Sequence, residues 1–110
     1  GVYGVVEAAK KAKHKVLVTT FYTDKTDKAP KHFAGTLIVD FRPPFAKAVG
    51  EILKGNRTGY VPMRPGNGFE LKSLGNVSAE AIAKTKEAYE KVRTGSIKPR
   101  LEMKKVRLAK

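Results

Sequence analysis

The chain has 110 residues and no internal repeat, so one domain is expected, long enough to bury a modest core. It contains no cysteine, which excludes disulfides, thiolate metal sites and cysteine nucleophiles. Lysine and arginine number 23 against 10 acidic residues, a formal charge of +13 that raises the question of a polyanionic partner.

Val2, Val5, Val6, Ala9 and Ala12 recur at helical spacing, so Val2 to about Lys13 is expected to form an amphipathic helix. Lysines 10, 11 and 13 then fall at its C-terminal end, where they suit the helix dipole. The opening "GVYGVVEAAK" lacks the basic region and long apolar core of a signal peptide, and no run approaches the ~20 apolar residues that span a bilayer. Val16–Phe21 is a short, β-branched, apolar run, read as a strand buried on both faces. A polar loop from Tyr22 to His32 follows, and "GTLIVDF" (Gly35–Phe41) gives a second strand.

Pro43 and Pro44 stop that strand and suit the first turn of a helix whose apolar positions are Phe45, Val49, Ile52 and Leu53, ended by Gly55. "TGYVPM" (Thr58–Met63) is a third strand candidate, in which Pro62 points to an edge position or a strand end. "RPGNG" reads as a turn and "FELKSL" as a short fourth strand. Ser78 caps a helix along which Ala81, Ile82, Thr85, Ala88, Tyr89 and Val92 share one face. Glu80–Lys84, Lys86–Glu90 and Glu87–Lys91 form four-spaced pairs on the others, and Gly95 ends it. From Arg93 onward seven basic residues face one glutamate, Glu102; residues 99–110 form a basic tail whose apolar alternation fits a strand or strand pair, with partial disorder as the alternative. Helices alternating with short strands make the chain α/β.

Motifs for chemistry are sparse. "PGNGFELKS" has Leu71 where a phosphate loop needs glycine before lysine, and a strand rather than a helix follows. His14 and His32 lack metal-pair spacing, and no carboxylate pair is local enough to form a dyad. No catalytic residue, cofactor or metal is therefore assigned. In open α/β sheets ligands lie beyond the carboxyl ends of the strands, where the break "FYTDKTD" puts Tyr22 and Asp24. A carboxylate accepts hydrogen bonds from sugar hydroxyls, and a phenol ring stacks or donates its hydroxyl. Both residues are thus candidate ligand contacts, with an ordinary strand end as the alternative.

The order "GVYGVVEAAKKAK", "KVLVTTFYTD", "GTLIVDFRPPFAKAVGEILKGN" and "VSAEAIAKTKEAYEKVRTGSIKP" resembles the C-terminal part of the basic membrane protein family. These are substrate-binding lipoproteins of ABC transporters, many of which bind purine nucleosides. The resemblance runs at least to Pro99 and rests on the order of several weak motifs. It implies part of a type I periplasmic-binding-protein fold, a sheet flanked by helices, in which two lobes close on a ligand. It also implies an extracytoplasmic, membrane-anchored protein with a small solute and an ABC transporter permease as partners. The chain would then be a C-terminal portion, its lipid anchor outside these residues. Asp24 matches the second aspartate of the family's Gly-Val-Asp-x-Asp-Gln pattern, whereas Tyr22 stands at the first aspartate and Lys25 at the glutamine. The rival reading is a free-standing basic nucleic-acid-binding domain, whose affinity falls steeply with salt.

Overall fold

An amphipathic helix and a pleated run of β-branched residues meet in the N-terminal third of the chain. The computed structural model describes residues 1–57, 59 and 61–100. Helix α1 (Val2–Lys11) buries Val6 and Ala9, three apart on one face, against Val18, Ala29 and Phe33. These five make up the buried apolar cluster among the described residues. Lys10 and Lys11 occupy the last turn of α1, as the dipole favours.

Strand β1 (Val18–Tyr22) runs parallel to β2 (Phe33–Val39). Parallel strands need a crossover, and here ten residues with two 3₁₀ turns (Thr26–Lys28 and Pro30–His32) serve in place of a helix. Helix α2 (Arg42–Leu53) carries Pro43 and Pro44 in its first turn. The chain returns as β3 (Arg64–Pro65) and β4 (Gly68–Lys72), and β4 pairs antiparallel with β2. The result is a mixed α/β fold with a four-stranded mixed sheet ordered β1-β2-β4-β3 and three helices. Helix α3 (Ala79–Thr94) has its expected ends: Ser78 Oγ accepts from the Ala81 N–H (3.2 Å), and Gly95 takes the left-handed conformation that an L side chain disfavours. Glu80–Lys84 and Glu87–Lys91 pair as expected (2.7 and 2.5 Å), but Glu90 takes Arg93 rather than Lys86.

Three expectations need correction. Strand β1 lies at the sheet edge and is not buried on both faces: Val18 and Thr20 are buried, while Thr19, Phe21 and Tyr22 are exposed. The reason is that α1 covers only one side. The other side opens on a groove of about 480 Å³ lined by Thr19, Phe21, Leu37, Leu71, Ile82 and Thr85, beneath α3. The third strand falls on Arg64–Pro65, within the expected turn: Arg64 and Asn67 exchange two backbone hydrogen bonds (3.0 and 2.8 Å), and Arg64 and Pro65 pair in parallel with Gly68 and Phe69. Of the run 58–63, Thr58 and Tyr60 lie outside the described residues, and Val61–Met63 carries no strand. Finally, α2 turns its apolar stripe to solvent: Phe45, Ile52 and Leu53 are 71%, 62% and 82% exposed. The strand expected within the basic tail lies outside the described residues from Leu101 onward.

Candidate ligand-binding site

The pairing of β1, β2 and β4 brings four aromatic side chains to one rim of the sheet. Tyr22 ends β1 opposite Ile38, Val39 ends β2 opposite Phe69, and Phe41 follows two residues later. Phe21 and Tyr22 meet edge-on (centroids 5.2 Å), Phe21 meets Phe69 and Tyr22 meets Phe41 (both 6.3 Å). The row thus runs Phe69, Phe21, Tyr22, Phe41. Consecutive strand residues point to opposite faces, so a contact between Phe21 and Tyr22 needs a backbone departure. Tyr22 supplies it, with φ at 89°, a conformation costly for a bulky residue and found where local strain serves function. Phe21, Tyr22 and Phe41 remain about half exposed, a large apolar area to leave in water.

Asp40 sits in the same rim. Its N–H donates to the Gly68 carbonyl (2.7 Å), an approach that leaves no room for a side chain at Gly68, whose Cβ would lie 2.9 Å from the Asp40 carbonyl oxygen. The Arg42 backbone N–H and guanidinium donate to both Asp40 carboxylate oxygens (2.8–3.2 Å). These bonds hold the Asp40 carboxyl down to about 2. A hollow of about 300 Å³ opens beside it, lined by Asp40, Phe69, Glu70 and Tyr89, with the Tyr89 hydroxyl donating to the Phe69 carbonyl (2.8 Å). Rings to stack on, a fixed carboxylate–guanidinium pair and a hollow are the ingredients of a site for a flat, polar-edged ligand. The larger groove under α3 is lined mainly by apolar side chains with four threonines and no charged group; Thr20 and Thr36 bond each other and Thr85 bonds the Ala81 carbonyl.

Of the two residues singled out in the sequence, Tyr22 lies in this row and Asp24 does not. Asp24 folds back over the sheet. Its Oδ1 accepts from the Thr26 N–H (2.9 Å) and hydroxyl (2.5 Å), and its Oδ2 accepts from the Ser73 hydroxyl (2.5 Å), just past the end of β4. Because β4 runs antiparallel, that end lies towards the start of β2, away from the aromatic rim. Asp24 therefore works as a latch between the loop after β1 and the loop after β4. Phe41, Phe69, Asp40 and Arg42 escaped sequence reading as site residues; the one signal was that Phe41 and Asp40 immediately follow a strand, as Tyr22 ends one.

The Ser73 and Thr26 hydrogen bonds lower the Asp24 carboxyl below its usual range. A depressed carboxyl contributes stability above its unfolded value and loses it as pH falls through the folded one. Asp24→Asn is accordingly expected to lower the urea midpoint at neutral pH by the equivalent of about 1 kcal/mol or less, since the group stays solvated. That difference should shrink below about pH 4. Parallel midpoint curves for the two proteins from pH 7 down to about 2.5 would remove the latch.

No family model, curated protein or solved structure matches the chain.

Proposed function

We propose that the chain is one wall of a solute trap of the type I periplasmic-binding-protein kind, a non-enzymatic receptor that works outside the membrane and hands its solute to an ABC transporter permease. The observation that carries the reading is the row Phe69, Phe21, Tyr22, Phe41, its last three rings half exposed, at the carboxyl rim of parallel strands β1 and β2, beside the Asp40–Arg42 pair. In such a trap a ligand ring stacks on the row and its polar edge meets the charged pair, while the second wall closes over both and expels water. The exposed stripe on α2 is in keeping with a wall whose apolar surface awaits a cover. The motif order described above supplies the resemblance to nucleoside-binding lipoproteins, so purine nucleosides are the first ligands to try.

One wall alone forfeits the contacts of the other. Titration of adenosine, guanosine and inosine by NMR is therefore expected to give dissociation constants of about 1 mM or weaker, with shifts concentrated at Phe21, Tyr22, Phe41 and Phe69. Tyr22→Ala with Phe41→Ala should abolish those shifts. Micromolar affinity would overturn the two-wall account, and shifts confined to other regions would overturn this site.

A further inference from the structure

At the end of the sheet opposite the aromatic rim, the fold gathers lysines from two separated stretches. Lys10 and Lys11 end α1, Lys13 and Lys15 lead into β1, and Lys28 and Lys31 precede β2; all six are exposed. The two stretches are held together. The His32 ring lies 3.3 Å from the Val16 carbonyl, and Lys10, Lys28, Lys31 and His32 surround a hollow of about 330 Å³ floored by Ala29 and Pro30. Opposing them are Glu7, bound to Lys10 (2.8 Å), and Asp27, bound to Lys28 (3.1 Å). Lys11, Lys13 and Lys31 have no ion pair among the described residues, and Lys15 reaches only a backbone carbonyl, that of Asn76 (3.2 Å).

We infer that this lysine pole docks the protein on an anionic bilayer surface, with the hollow between Lys10, Lys28 and Lys31 receiving a headgroup phosphate. The side-chain chemistry selects that partner. Lysine is a compact point charge suited to diffuse attraction, and residues 1–41, which carry this pole, contain no arginine to read phosphates or bases bidentately. A single exposed ring, Tyr3, lies near Lys28, too few for a base-stacking track and suited to the headgroup level of a bilayer. Position agrees as well: docking at the amino ends of β1 and β2 leaves the rim of Tyr22 and Phe41 facing away from the surface. The inference does not depend on the solute-binding reading.

The test is cosedimentation of the full chain with vesicles of about one-third phosphatidylglycerol in phosphatidylcholine, across salt from about 0.05 to about 0.5 M. Binding is expected at low salt, to fall steeply as salt rises, and to be absent on phosphatidylcholine alone. Each lysine near a charged surface is worth roughly fivefold in affinity, so Lys11→Glu/Lys13→Glu/Lys31→Glu should lose about 100-fold or more. The matched control Lys47→Glu/Lys86→Glu/Lys98→Glu, equal in net charge, should stay within about fivefold of the parent. Circular dichroism checks that both fold, and the milder Lys→Gln triple should show an intermediate loss. Equal losses in the two charge-reversed triples, or equal binding to neutral vesicles, would overturn the proposal. Tighter binding to a random DNA duplex than to the vesicles, lost in the same triple, would overturn it in favour of nucleic acid. Nucleoside shifts at Tyr22 and Phe41 should be untouched by the lysine variants, so failure here and failure of the solute-trap reading are separable.

Discussion

Phe33→Ala is expected to remove most of the protein's stability at 25 °C. Phe33 has no exposed surface and is the largest fully buried side chain, set among Val6, Ala9, Val18 and Ala29. Truncating such a side chain costs about 3–5 kcal/mol, through lost transfer free energy and the cavity left behind. Small domains have only about 5–15 kcal/mol in hand, and a core of five apolar residues places this chain near the lower end. The loss has structural reach because Phe33 joins three elements: α1 and β1 pack on its ring, and its carbonyl accepts from Asn76 Nδ2 (2.7 Å) after β4. Urea titration followed by circular dichroism checks it. Phe33→Ala should begin to unfold at the lowest urea concentrations, while Phe33→Leu keeps a folded baseline and a smaller shift of the midpoint to lower urea. A transition for Phe33→Ala at the parental midpoint would mean that the core lies elsewhere.

What could be read in the sequence was what local chemistry decides. The helices α1 and α3 appear within two residues of their expected limits, because apolar spacing, a serine cap and a terminating glycine act within a few residues. The existence of β1, β2 and β4 was legible too, but β3 was not, and neither was the placing of β1. Its run of Val and Thr suits an edge strand as well as a buried one, and sheet order depends on which partner arrives from β2 and β4. In α2 the pattern named the apolar face without naming what covers it: Phe45 and Leu53 mark the helix correctly and point to solvent. The candidate site was half visible. Tyr22 announced itself by ending an apolar run, whereas Phe69 joins it only through the register of β2 with β4, which local spacing does not encode. For Asp24 the residue type was legible but its partners were not: that its carboxylate accepts from Thr26 and from Ser73 depends on the approach of the loop after β4.

A single hydroxyl pair beneath the rim offers the second large effect. Thr20 and Thr36 are register neighbours on β1 and β2, both buried, and their hydroxyls share a 2.6 Å hydrogen bond. Thr36→Val keeps the shape and strips the partner, leaving the Thr20 hydroxyl buried without a bond, at a cost of about 1–3 kcal/mol. Thr20→Val should do the same. The double variant removes donor and acceptor together and should return to within about 1 kcal/mol of the parent, so the double-mutant cycle should show strong coupling. Additive losses would mean that each hydroxyl is satisfied independently of the other. Since the apolar double variant is expected to be nearly as stable, what the pair provides is register. A one-residue slip of β1 sends every side chain to the other face, and a valine pair slides where a threonine pair does not. Tyr22 lies two residues beyond Thr20, so its meeting with Phe41 depends on that alignment. The double variant should accordingly keep its urea midpoint while its Tyr22–Phe41 nuclear Overhauser contacts weaken; unchanged contacts would leave the register to the rest of the ladder.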